Sequence, residues 1–255
     1  MSKLYFNYGT VSSSKTLNLL AVYKNYELQG RSAILVRPAM DTRSNKVESR
    51  AGLSAVPDIT LESNDNIIEK ITDYIIVKFC KTRIDKPKIK TIKELQDVIN
   101  KVEEAVIVDE AQFLSVEQIK DLRKLSAIGE DIELSTKDDC EQRNILLDIL
   151  DNSIINDNYS VSFNICLPVM CYGLRTNSDG ELWEAASILM AQSDEIAEIK
   201  TICSYCSRRA VFSAINPERA CNSKDGVINP SWGLYIPVCP KHFAEIQSKL
   251  NNKQH

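Results

Sequence analysis

Long apolar runs are missing from this 255-residue chain. None approaches the roughly 18–20 residues a membrane helix needs, so no membrane partner is expected. Excess positive charge is missing as well. With 31 Lys and Arg against 35 Asp and Glu the net charge is −4, which argues against a nucleic-acid-binding surface but leaves room for a local basic pocket. The opening residues Met1-Ser2-Lys3-Leu4-Tyr5-Phe6 lack the charged-then-apolar pattern of a secretory signal and read as a first strand, so a cytoplasmic protein is expected. Histidine is scarce: only His242 and His255 occur, and a histidine standing beside another metal-ligand type therefore carries weight. Apolar residues are not scarce. At 44% of the chain, they suffice for one large α/β domain or a core domain with a small satellite.

Val106-Ile107-Val108-Asp109-Glu110-Ala111-Gln112-Phe113 is the organising stretch. Consecutive apolar residues read as a parallel strand covered on both faces. Two adjacent carboxylates follow at its carboxyl end, where ligands sit in an open α/β sheet. One acid there can hold Mg²⁺ at a nucleotide, and the other can take a proton from a hydroxyl. A strand running into an acidic helix start is the plain alternative.

A second stretch decides between them. Leu4 to Tyr8 reads as a strand and runs into Gly9-Thr10-Val11-Ser12-Ser13-Ser14-Lys15-Thr16, after which Leu19, Leu20, Tyr23 and Tyr26 recur at helical spacing. Strand, small-residue loop, Lys-Thr and helix form the setting of a phosphate-binding P-loop. Its N–H groups and the helix dipole face phosphate oxygens. Lys15 would reach the terminal phosphates, and Thr16 would offer its hydroxyl to Mg²⁺. Ser14 stands where the P-loop pattern has its second glycine. If that position needs positive φ, serine carries about 1–2 kcal/mol of strain.

Ser32 to Val36 reads as another strand, opening into Asp41-Thr42-Arg43; by residue type alone Asp41 and Arg43 are a loop ion pair worth little. Helical spacing covers 65–79 and 91–104, although Tyr74-Ile75-Ile76-Val77 could be a short strand. Ser115 and Gln118 open a further helix as a capping box. Residues 130–160 hold nine acids and read as a surface excursion with one packed helix around Ile145–Leu150. Leu167 to Leu174 is an apolar strand, and a helix is expected from about Gly180 to Asp194.

Eight cysteines occur, and without a secretory signal they are thiols or metal ligands before they are disulfides. Cys203-Ser204-Tyr205-Cys206 and Cys239-Pro240-Lys241-His242 are two C-x₂-[CH] knuckles separated by 32 residues. They match a tetrahedral Cys₃His zinc site, structural because no coordination position is left open. Cys80, Cys140, Cys166, Cys171 and Cys221 lack such spacing and read as free.

These blocks occur in the order seen in the type II thymidine kinases, the cytosolic zinc-containing family, together with Ser49-Arg50-Ala51-Gly52-Leu53, Val169–Thr176 and Gly180-Glu181-Leu182. The chain resembles that family over nearly its whole length apart from about 130–160. The resemblance implies a P-loop α/β kinase domain over 1–197, with a parallel sheet flanked by helices, and a small zinc-binding lasso domain over 198–255. It implies ATP and thymidine as substrates, Mg²⁺ and structural Zn²⁺ as metals, transfer of the γ-phosphoryl to the thymidine 5′-hydroxyl, and a homotetramer.

Carried over by position, Gly9, Thr10, Val11, Ser12, Ser13, Ser14, Lys15 and Thr16 would hold the triphosphate. Asp41, Asp109 and Gln112 would belong to the phosphate and metal region. Glu110 would be the general base, with Lys15 and Arg43 as the catalytic cations. Phe113, Leu174, Trp183, Ser213, Ile228 and Tyr235 would line the thymidine pocket. Cys203, Cys206, Cys239 and His242 would hold zinc. The chain departs from the family pattern at Ser14, Val11, Ser178 and Asn229-Pro230-Ser231. Weaker ATP binding or wider base selectivity is therefore expected. Two other readings stay open: a nucleotide binder with weak turnover, and an ATPase or helicase box at Asp109–Gln112.

Overall fold

Strand side chains that alternate between two buried faces organise the molecule. A computed structural model describes residues 2–41, 45–81, 87–91, 93–94, 97, 104–135, 149–151, 160–220 and 233–251. Its central sheet contains β1 (Leu4–Tyr8), β2 (Ile34–Pro38), β5 (Ile59–Leu61), β6 (Val106–Val108), β9 (Val169–Gly173) and β10 (Glu195–Glu198). Their order is β10-β1-β9-β6-β2-β5, and every pairing is parallel. Ile34, Val36, Val106 and Val108 point to one face, while Leu35 and Ile107 point to the other. Both faces are apolar, so the central strands show no apolar–polar alternation in sequence.

Helices cover both faces. Helix α1 (Lys15–Leu28) packs Leu19 and Leu20 beneath Leu35, Ile107 and Tyr172. The opposite face receives α2 (Ile67–Lys81), α3 (Val116–Ala127) and α4 (Glu184–Gln192). Ile67, Ile71, Ile75 and Phe79 form one buried stripe of α2, so Tyr74–Val77 is helical and not a strand. Ser115 and Gln118 close the expected capping box on α3. Their hydroxyl and carboxamide satisfy N–H groups that the first helical turn leaves without partners.

Helix α4 begins later than the sequence spacing predicts. The Asn177 side chain accepts the N–H groups of Asp179 and Glu181, and Gly180 turns at φ +87°. These contacts form a turn over 177–181, so the helix starts only after Trp183. The 130–160 segment also departs from expectation. Its ends form an antiparallel pair, β7 (Glu130–Ser135) with β8 (Ser160–Ile165). Ile149 and Leu150 are buried in the main core, and most of the expected helix around them lies outside the described residues. The helix expected over 91–104 lies largely outside them too.

Two short strands, β3 (Val47–Glu48) and β4 (Ser54–Ala55), pair antiparallel beside the P-loop side of the sheet. Towards the C-terminus, β11 (Phe212–Ile215) pairs antiparallel with β12 (Tyr235–Val238), and α5 (Pro217–Ala220) and α6 (Pro240–Asn251) complete the described elements. Cys203, Ala214, Val238, Cys239 and Ile246 form a core cluster of their own there. Among the described residues no helix is long and apolar enough to cross a membrane.

Candidate active site

The carboxyl ends of β1, β9 and β6 are neighbours in the sheet, and each releases a chemically distinct loop. From β1 comes the P-loop. Its Gly9 N–H donates to the Gly173 carbonyl at 3.3 Å. A Cβ at Gly9 would stand 2.4 Å from Ser13 Oγ and 2.6 Å from the Ile199 carbonyl, so only glycine lets the loop curl this tightly. Ser12 and Ser14 both have left-handed backbone, at φ 59° and 66°. The positive φ considered for Ser14 from sequence is therefore real. Lys15 is buried, and its ammonium donates to the Thr10 carbonyl at 2.8 Å. The Ser13 hydroxyl is buried with no hydrogen-bond partner among the described residues.

Strand β6 delivers the acids. Asp109 and Glu110 are 4% and 8% exposed. Thr16 Oγ1 donates to Asp109 Oδ2 at 3.4 Å, which brings a P-loop hydroxyl and the first carboxylate to one place. Glu110 lies in left-handed backbone at φ 48° and caps a 3₁₀ turn over Ala111–Phe113. That sharp turn lifts the Glu110 carboxylate towards the P-loop instead of letting a helix carry it away.

A cavity of about 710 Å³ opens between these loops. It is lined by Val11 to Thr16, Asp41, Arg50, Glu110 and Gln112. Phe113, Leu174, Trp183, Ser213 and Tyr235 line it as well, and the Ser213 hydroxyl accepts the Val11 N–H of the P-loop. Phe113 and Trp183 meet edge to face, with centroids 5.5 Å apart and planes at 78°. This gives a rigid aromatic corner against which a flat ring can pack. Burial, then the charge of Asp179, raises the Tyr235 phenol above its ordinary value, so it stays a neutral donor.

Most sequence-derived site residues thus meet in one cavity. Gly9, Thr10 and Asp109 stand just behind its wall. Arg43 and Ile228 lie outside the described residues. Asp41 forms a buried ion pair with Arg37, Nε to Oδ2 3.4 Å, a partner the sequence did not suggest. Gln112 lines the cavity, yet both ends of its carboxamide are engaged with protein, to Glu110 and to the Leu174 N–H. Arg50, quoted from sequence only as part of a block, donates to the Ser12 hydroxyl at 2.6 Å. Gly173 likewise stands in the sequence reading only as part of a block; a glycine at the carboxyl end of an apolar strand is the signal that marks a close approach.

Away from the cavity, Cys203, Cys206, Cys239 and His242 bring their ligand atoms within 4.8 Å of one another. His242 Nδ1 is 3.2, 3.7 and 3.4 Å from the three sulfurs, and Cys206 Sγ is 3.9 Å from Cys239 Sγ. A tetrahedron with zinc–sulfur bonds of about 2.3 Å has edges of about 3.8 Å, so the donor set fits zinc in type and spacing. Burial pushes the Cys203 thiol up, but N–H groups of Tyr205, Cys239 and Cys206 and the His242 ring outweigh it and hold it at about 6. Cys166 and Cys171 are free thiols, as expected.

A thymidine kinase family model matches residues 149–243. The thymidine kinase of Streptococcus gordonii is 30% identical, over 99% of this chain and the whole of that protein. That of Enterobacteria phage T4 is also 30% identical, over 98% of this chain and all of its own length. The thymidine kinase of Francisella tularensis is 29% identical across 96% of this chain and 98% of its own.

Proposed function

The chain belongs to the thymidine kinase family, and from that premise we propose how its cavity transfers a phosphoryl group from ATP to thymidine. One observation carries the reading: Lys15, Glu110 and the Phe113–Trp183 corner, from separate chain segments, line one cavity. The P-loop from Gly9 to Thr16 wraps the triphosphate, and Lys15 leaves the Thr10 carbonyl to neutralise its terminal oxygens. Thr16 and Asp109 would hold Mg²⁺, which supplies charge neutralisation at the transferring phosphate. Thymidine would lie with its ring against Phe113 and Trp183, bordered by Leu174, Ser213 and Tyr235. Its 5′-hydroxyl then faces Glu110, which accepts the proton as the oxygen attacks the γ-phosphorus and the bond to the bridging oxygen breaks, releasing ADP. The roles that the resemblance implies for Arg43 and Ile228 fall on residues outside those described.

Cys203, Cys206, Cys239 and His242 would hold zinc, which cross-links the ends of the segment carrying Ser213 and Tyr235. We take 198–255 as a unit distinct from the kinase domain over 1–197, supported by its separate core cluster. The homotetramer rests on the family resemblance alone, and the cytoplasmic location on that resemblance and the opening residues. Sedimentation velocity tests the first.

The decisive experiment is product analysis with ATP, Mg²⁺ and thymidine. The expected product is dTMP, with turnover lowered roughly 10²–10⁴-fold in Glu110→Gln. The strained Ser14 favours a second reading, a nucleotide binder of weak turnover. Calorimetric binding of both substrates without dTMP formation would establish it.

A further inference from the structure

Gln112 was expected at the nucleotide, yet its carboxamide is spoken for. Its Nε2 donates to Glu110 Oε2 at 2.6 Å, and its Oε1 accepts the Leu174 N–H at 2.9 Å. The orientation of the amide is fixed by chemistry, because the Leu174 backbone N–H can only donate. Oxygen must therefore face Leu174, and nitrogen must face Glu110. Gln112 is only 3% exposed, so the bridge is buried.

The backbone is shaped to make this bridge. Left-handed Glu110 and the 3₁₀ turn after it bring residues 110 and 112 side by side. Gly173 lets the amide pass under the end of β9, where a Cβ would stand 2.9 Å from Gln112 Oε1. The bridge thus connects the acid that faces phosphate to the strand end that carries Leu174, a wall of the nucleoside side.

We propose that Gln112 is a positioning residue for phosphoryl transfer, holding the Glu110 carboxylate in register with the nucleoside wall at Leu174. This rests on reading Glu110 as the base. An angular error of a tethered base is felt in turnover, because proton transfer demands near-contact geometry, whereas ATP affinity depends on the P-loop. Gln112→Glu separates the two ends of the bridge. It keeps an oxygen for the Leu174 N–H but replaces the donor with a second carboxylate against Glu110.

The test compares wild type, Gln112→Glu and Glu110→Gln by steady-state kinetics and thermal melting. The expected result for Gln112→Glu is a kcat lower by on the order of 10–100-fold, with KM for ATP within about twofold of wild type and a lowered melting temperature, because two carboxylates then meet in a buried site. If Gln112→Glu does not fold, Gln112→Met, which removes the donor without adding charge, is read in the same way. Wild-type kcat in the Gln112 variant, alongside a crippled Glu110→Gln, overturns the positioning role alone. A raised KM for ATP at unchanged kcat overturns it in favour of nucleotide contact. Full turnover in Glu110→Gln overturns the base assignment and the Gln112 role with it.

Discussion

Replacing Ser14 with glycine should make this protein more stable. Ser14 sits at the start of α1 with φ 66° and ψ 26°, and its hydroxyl makes no capping hydrogen bond. An L-residue in that region carries about 1–2 kcal/mol, because its Cβ crowds the following carbonyl oxygen. Glycine removes the crowding but gives the unfolded chain about 0.5–1 kcal/mol more conformational freedom. The net gain is about 0–1.5 kcal/mol, a rise in Tm of up to about 6 °C for a chain of this size. Ser14→Ala is the control, since it keeps the Cβ and loses only the hydroxyl; it should stay within about 0.5 kcal/mol of wild type. Thermal melts followed by circular dichroism read both variants. Ser14 also lines the cavity, so its removal should lower KM for ATP as phosphate approaches the loop more closely. A glycine variant that melts below wild type would refute the reasoning. So would an alanine variant that loses about 1 kcal/mol or more, because that loss is the signature of a working cap.

Gly173→Ala places a Cβ 2.9 Å from Gln112 Oε1 and 3.2 Å from the Gln112 nitrogen. It should cost about 1–3 kcal/mol in urea unfolding and lower kcat; unchanged values would mean the bridge yields without consequence. Adding a chelator, or the substitution Cys206→Ser, should lower Tm through the proposed zinc site. It should also weaken ATP binding in calorimetry, because the Ser213 hydroxyl accepts the Val11 N–H of the P-loop at 3.0 Å. A lower Tm with unaltered ATP affinity would uncouple the two regions. Asp194 is held below the ordinary carboxylate range, first by the Arg123 guanidinium and then by the Leu4 N–H. Its depressed folded-state value means its stabilising contribution is full above the ordinary value of 3.8 and is lost as pH falls through the folded value. Asp194→Asn should accordingly flatten the acid side of a Tm–pH curve, and an unchanged slope would assign acid sensitivity elsewhere.

Residue type and spacing were sufficient for much of this molecule. Unbroken apolar runs at Val106–Val108 and Val169–Gly173 announced strands buried on both faces, since a strand covered on both sides has no polar alternation to show. The Cys203/Cys206 and Cys239/His242 knuckles were legible because two ligands three residues apart suit one metal whatever the loop between them does. The P-loop was legible because its function lies in the backbone and in two adjacent side chains.

Contacts between distant segments were not legible. Sequence fixes neither which cation meets Asp41 nor what occupies a carboxamide. Arg37 holds Asp41, and Gln112 bridges Glu110 to Leu174, because the order β1-β9-β6 sets those strand ends side by side. The sequence alone marked the central strands, the strand–loop–helix at Gly9–Thr16 and the Cys₃His cluster, all local in the chain. Only the tertiary structure decided where α4 starts, the left-handed backbone of Ser14 and Glu110, and which buried polar groups pair. Those outcomes depend on long-range packing, which leaves each buried donor or acceptor to be satisfied by whatever the fold brings within reach.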